Sequence, residues 1–289
     1  MSNASLKGFK FIQVLSNELS QGTIDLPSFP DIPFRIKKAL EDPDVETEDI
    51  VKIISTDPVF AARLMNVANS AAVMGSGKPI TDVRNAITRI GFKMAHTIAM
   101  SVAMNQALKS APSGGLKEQF NLLWRHSLNV AAFSFIIAKS YRKINPDEAM
   151  ITGLMHDIGK MYILSRVGES FPELVDDPET LEHVLTEWHT GIGQAILQNW
   201  GFNDAMSQVA DEHEVLSRSV DDPDLTDIVL IANLFAKSME SNEPVALKLN
   251  NEWQDISAFG RLRIDSDNVE EITENSMEEV QSIIATLGS

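Results

Sequence analysis

An all-α fold is predicted by three features of the sequence. Alternating apolar–polar runs and hairpin dipeptides are almost absent, which argues against a sheet. Apolar residues recur instead at three- and four-residue spacing, as in Phe60, Leu64, Val67 and Ala68. Many of these runs open on helix-start signals such as Asp57-Pro58 and Asn145-Pro146, a capping side chain followed by a proline whose missing N–H costs nothing there. No internal repeat of fixed period is visible.

The first segment with character, Leu26-Pro27-Ser28-Phe29-Pro30-Asp31-Ile32-Pro33, is too rich in proline for helix and reads as extended. Short helices follow over Phe34–Leu40 and around Ile50–Ile54. Asp57 then caps a helix running to Ala72, with Asn69-Ser70 as its terminus. Gly75-Ser76-Gly77-Lys78-Pro79 is a loop, and its order is wrong for a phosphate-binding loop, which needs Gly-Lys-Ser/Thr opening a helix. Thr81 or Asp82 caps the next helix, Gly91 ends it, and Phe92–Leu108 continues as a methionine-rich helix whose His96 is a core or interface histidine.

Ala111-Pro112-Ser113-Gly114-Gly115 breaks the pattern and separates two lobes. A long helix over Phe120–Tyr141 carries His126 on the face of Val130, Phe133 and Ile137. Asn145-Pro146-Asp147-Glu148 opens a helix that delivers His156-Asp157 near its end. From about Thr180 another helix carries His183, which points to solvent, and His189, and ends at Trp200-Gly201. Asn203 caps the helix leading to Glu212-His213-Glu214, and Asp222-Pro223-Asp224 opens the helix containing Asn233. Val245–Ile264 lacks a clear period, and Asn268–Leu287 reads as one charged terminal helix docked through Val280, Ile283 and Ile284.

Composition narrows the chemistry. The chain has 289 residues, 44% of them hydrophobic, enough to bury a sizeable core. It has no cysteine, so a metal would have to be held by His, Asp, Glu and Asn. The net charge of −17, with 24 scattered Lys and Arg, argues against nucleic acid as a partner. No apolar run approaches the roughly 20 residues of a membrane helix and no secretory signal is visible, so the expectation is a cytoplasmic protein away from the membrane.

Chemistry is stated most plainly in Gly153-Leu154-Met155-His156-Asp157-Ile158-Gly159-Lys160, since imidazole and carboxylate together suit borderline divalent metals. The alternative is a buried hydrogen-bonded pair without any metal. His126, the His156–Lys160 motif, His189 followed by Gly193, and His213 before Glu214 resemble the scaffold of HD-superfamily metal-dependent phosphohydrolases. Leu26-Pro27 with Pro30, Asp57-Pro58, Asn69-Ser70-Ala71 and Ala86-Ile87 with Ile90-Gly91 resemble the HDOD domain, the HD-related output domain of bacterial signalling proteins.

The resemblance implies a leader over 1–20, an HDOD domain over 21–240 made of a helical lobe (21–112) and an HD-like helical bundle (116–240), and a docked extension over 241–289. It implies His126, His156 and Asp157 around one divalent metal (Fe, Mn, Zn or Mg) and His189 and His213 on a second, with Asp157 bridging. Lys160 would face a substrate phosphate, or else be a charge near helix C-terminal carbonyls. Two positions depart from the catalytic pattern: Asn233 stands where the enzymes carry an aspartate, and Glu212 where tandem-histidine relatives carry a histidine. No Gly-Tyr-Pro follows His213. The resulting expectation is a non-hydrolytic signal-transduction module with a degenerate centre, whose partner is a signalling protein or small ligand. The rivals are an active phosphohydrolase on a nucleotide or small phosphoester, with Asp157 and Lys160 catalytic, and a purely structural helical adaptor.

Overall fold

The computed structural model describes residues 30–70, 78–109, 115–141 and 143–288, with positions 11, 13–15, 17, 18 and 73. Among the described residues every regular element is a helix. In chain order these are α1 (Ile32–Leu40), α2 (Thr47–Ile54), α3 (Pro58–Ala68), α4 (Val83–Ile90), α5 (Phe92–Lys109), α6 (Gly115–Ser140), α7 (Pro146–Met155) and α8 (Ile158–Ser170). They continue as α9 (Pro172–Val175), α10 (Pro178–Asn199), α11 (Asp204–Glu212), α12 (Leu225–Ser241), α13 (Val245–Asn251), α14 (Ser257–Leu262), α15 (Val269–Thr273) and α16 (Met277–Gly288).

The caps explain most of these boundaries. Asp57, Asp82, Asn145, Asp177, Asn203 and Asp224 each accept backbone N–H bonds in the turn they open. Gly91, at φ +82°, ends α4 in a conformation that a Cβ would disfavour.

Several boundaries differ from the sequence reading. Pro33 does not exclude helix, because it occupies the first turn of α1, where no N–H is needed; Leu26–Phe29 lie outside the described residues. α3 stops at Ala68 instead of reaching Ala72, since the Asn69 amide exchanges two 2.7 Å bonds with the Ile80 backbone. Ala71-Ala72, Gly75–Gly77 and Ala111–Gly114 also lie outside the described residues. Val245–Ile264 contains two short helices, and the terminal segment is broken into α15 and α16.

The 26-residue α6, about 39 Å long at 1.5 Å per residue, is the axis of the molecule. Trp124, Leu128, Val130, Ala131, Phe133, Ile136 and Ile137 are all buried, so the helix is apolar on most of its circumference and lies inside the fold. α7 and α12 pack along it, and α8, α10 and α11 complete the bundle around the His–Asp segment. α5 connects this bundle to α1, α3 and α4, and the buried side chains form one continuous cluster.

α16 closes the other side by packing on both α5 and α6. Arg63 donates to the carbonyls of Ala285 and Thr286, and Ser101 to that of Leu287, so the last turn of α16 finds its hydrogen bonds in α3 and α5.

Candidate metal centre

Five elements converge on one carboxylate. His126 comes from the middle of α6, His156 from the end of α7, Asp157 from the break before α8, His189 from α10 and His213 from the end of α11. The α8–α10 crossing is made possible by Gly159: a Cβ there would overlap the His189 carbonyl oxygen and come within 2.8 Å of the Gly193 nitrogen. The glycine beside the His–Asp pair therefore sets how closely His189 approaches Asp157.

Each oxygen of Asp157 faces two imidazoles. Oδ2 lies 3.3 Å from His156 Nε2 and 4.0 Å from His126 Nε2, while Oδ1 lies 3.4 Å from His213 Nε2 and 3.6 Å from His189 Nε2. The opposite ring nitrogens are already committed. His156 Nδ1 donates to the Gly153 carbonyl (2.8 Å), His189 Nδ1 to Leu185 (2.7 Å) and His213 Nδ1 to Ala210 (3.0 Å). Carbonyls only accept, so these bonds put the proton on Nδ1 and leave Nε2 with a lone pair aimed at an anion.

Accordingly the Nε2 atoms of His156, His189 and His213 and the Oδ1 of Asp157 are buried without a hydrogen-bond partner. Opposed acceptors in a buried site are costly unless a cation lies between them. Burial pushes the His156 imidazole down to about 4, and burial with the Lys160 ammonium lowers His189, so both rings are neutral at pH 7. Burial alone would raise the Asp157 carboxyl, but the Lys160 ammonium 3.0 Å away helps to hold the group well below its usual range.

The donor set fits a divalent cation. His126, His156 and Asp157 form one group, and Asp157, His189 and His213 a second, with ligand atoms in each within 4.8 Å of one another. Neutral imidazoles with a shared carboxylate and no thiolate suit the borderline metals.

Lys160 is not at a helix C-terminus. It lies in the first turn of α8, with Nζ 3.0 Å from Asp157 Oδ2 and 3.7 Å from Glu214 Oε1. Glu212 turns away from the histidines, accepting from Arg218 Nε at 3.1 Å and Gln208 at 3.0 Å. The acidic neighbour of the centre is instead Glu214, 3.7 Å from His189 Nε2 and bonded to Lys237 at 2.9 Å. Burial opposes its ionisation, yet Lys160 and Lys237 bring its carboxyl down to about 2.

α12 contributes a face that sequence inspection assigned only through Asn233. Glu240 accepts from His126 Nδ1 at 3.1 Å and from Asn129 at 3.0 Å. Asn233, Lys237 and Glu240 fall at helical spacing of four and seven, so Asn233 shares the face that meets the centre. Its Oδ1 is buried without a partner. That i, i+4, i+7 spacing was the signal available for Lys237 and Glu240. Asn233, Lys160, Glu214 and Glu240 therefore surround the two groups, while Glu212 and the exposed His183 do not.

Comparison with known proteins places this geometry among relatives. The HDOD domain family matches residues 26–216. A Treponema pallidum (strain Nichols) protein of uncharacterized function is 25% identical over 234 residues, covering 76% of this chain and 44% of that protein; the chain thus spans less than half of that relative. A crystal structure from Shewanella amazonensis SB2B, provisionally described as a metal-dependent phosphohydrolase, superposes with a TM-score of 0.76 at 25% identity, covering 97% of this chain and 99% of that one. An HDOD domain protein from Geobacter sulfurreducens gives 0.70 at 24% identity, with 95% and 97% covered. A protein from Marinobacter aquaeolei VT8, provisionally described as a signal transduction protein, gives 0.66 at 18% identity, with 99% and 66% covered.

Proposed function

Because the chain belongs to the HDOD domain family, we propose that it is a signal-transduction output and interaction module that holds a divalent cation at its His–Asp centre and does not hydrolyse phosphoesters. One observation carries this reading: the ammonium and carboxylates around the centre are already spent on one another. Lys160, the cation nearest Asp157, is paired with both Asp157 and Glu214, so it is not free to receive a phosphate. Glu240, beside His126, adds negative charge at the rim, which repels a phosphoester.

The cation would be held by His126, His156 and Asp157, by Asp157, His189 and His213, or by both groups. When bound it supplies positive charge and Lewis acidity between otherwise opposed acceptors. The chain's own residues orient that site: backbone carbonyls fix three imidazole tautomers, Glu240 orients His126, and Lys160 balances Asp157. Asn233 offers a neutral amide oxygen, a poorer ligand than the aspartate of the catalytic pattern, which weakens metal binding and charge neutralisation at the site. The domain is taken as residues 21–240, with 241–289 as its docked extension, and the partner as a signalling protein or small ligand. Among the described residues no helix is long and apolar enough to cross a membrane.

The reading is tested by elemental analysis of anaerobically purified protein together with nucleotide, cyclic-dinucleotide and phosphomonoester panels under Mn²⁺ or Fe²⁺. Bound metal with no turnover is the expected result; turnover abolished by His156→Ala would overturn it. A second reading, an active phosphohydrolase with Asp157 and Lys160 catalytic, is favoured by the completeness of the two ligand groups around Asp157. Stoichiometric metal with turnover would establish it.

A further inference from the structure

A cavity of about 430 Å³ opens where α1 and α5 meet the beginnings of α7 and α11. That volume falls in the range of small-molecule sites. It is not part of the His–Asp centre: α7 and α11 start at the cavity with Asp147, Glu148, Asn203 and Met206, and carry His156 and His213 at their far ends, roughly 10–15 Å further along at 1.5 Å per residue.

The lining has a definite chemistry. His96 and Phe202 present nearly parallel rings, 22° apart with centroids at 6.5 Å, beside the apolar Leu40, Ile151 and Met206. The His96 side chain bonds to the Pro33 backbone, and since proline has no N–H it is the carbonyl that accepts. Nε2, on the other edge of the ring, is buried without a partner among the described residues, so it is a lone-pair acceptor. His96 is more than nine-tenths buried.

The charges at the cavity are unequally engaged. Lys37 bonds to Glu41 at 2.5 Å and lies over the Phe202 ring at 5.6 Å. Glu148 accepts from Asn203 at 2.9 Å, and Asp147 sits in the first turn of α7, where the helix end compensates it. Lys93 is exposed and, among the described residues, makes no ion pair, so it is the charge left for a ligand.

We propose that this cavity binds a small, flat aromatic acid carrying a hydrogen-bond donor on its ring, with the ring edge-on to His96 so that the donor meets Nε2 in the imidazole plane, its face against Phe202, and the acid group at Lys93. The site stands whether or not the His–Asp centre turns over a substrate.

Calorimetric titration of the full chain with indole-3-acetate and naphthalene-1-acetate tests it, because the two acids share shape and carboxylate but only the first carries a ring N–H. Any binding of the shared carboxylate at the His–Asp centre would add equally to both acids and could not by itself create a preference for one of them. Indole-3-acetate is expected to bind at least tenfold tighter, the preference to shrink to within twofold in His96→Phe, and Lys93→Glu to weaken both acids several-fold. Absence of binding, equal affinities in the unaltered chain, or a preference that persists in His96→Phe would each overturn the proposal. If His96→Phe does not fold, the two-acid ratio and the exposed Lys93→Glu variant still decide.

Discussion

His156 Nε2 faces Asp157 Oδ2 at 3.3 Å while its proton is held on the opposite nitrogen by the Gly153 carbonyl at 2.8 Å. Two acceptors oppose one another in a buried site, and the same relationship recurs at His189 and His213. The centre is thus built for a cation more than for a hydrogen-bonded pair.

Metal should therefore act as a ligand of the folded state alone. At a free concentration of 100 times Kd, linkage contributes about 2.7 kcal/mol, which in a chain of this size raises Tm by several degrees. Thermal melts with Mn²⁺ or Zn²⁺ and with chelator should show that difference in the unaltered chain and not in Asp157→Asn. An equal response in both would place the ion elsewhere.

Gly159→Ala should be among the costliest single-methyl additions. The new Cβ meets backbone of α10 at the His189 carbonyl, which cannot rotate away as a side chain could. Overpacking of this kind costs about 1–3 kcal/mol or more, and because it displaces His189 it should also reduce metal content. Denaturant melts and elemental analysis read the two effects separately.

Asp227→Ala tests the buried charge cluster behind α12. Asp227 accepts from Arg218 at 2.7 Å and from Arg261 at 2.7 Å, and its side chain is fully buried. Removing it leaves two guanidinium groups short of a counter-charge, a loss of about 3–5 kcal/mol. Urea titration at pH 7 measures it. A change under about 1 kcal/mol would mean that Glu212 and Asp224 suffice for Arg218.

The pH dependence of stability should carry a contribution from His96. Burial first, and the nearby Lys37 second, push its imidazole from 6.5 down to about 4 in the folded chain. The folded value lies below the unfolded one, so between pH 6.5 and 4 the unfolded chain binds more protons. Stability is therefore lost as pH falls through that window, at about 1.4 kcal/mol per pH unit for one proton. Urea titrations at pH 7, 6 and 5 should show a shallower slope in His96→Phe by about one proton.

The helices themselves were legible in the sequence wherever their signals are local. Asp57, Asp82, Asn145, Asn203 and Asp224 cap within three residues of their own position, so reading them needs no knowledge of the fold. The placement of His156-Asp157 at the end of α7 followed from the same logic. α13 and α14 were missed because seven and six residues span about two turns, too few to display a period.

The histidines and Asp157 were legible as a set of ligand-type residues, but their arrangement was not. That Asp157 presents one oxygen to His126 and His156 and the other to His189 and His213 depends on the crossing of α8 over α10. Glu212 and Glu214 are two positions apart at the end of a helix, and only the position of Arg218 decides that the first leaves the centre while the second stays. His126 and Glu240 are 114 residues apart and meet because α12 packs along α6. Sequence determined by itself where the capped helices start and which residue types are available to a metal, because capping and side-chain chemistry act over a few bonds. Tertiary packing decided which of them share a site, because convergence is set by how helices cross.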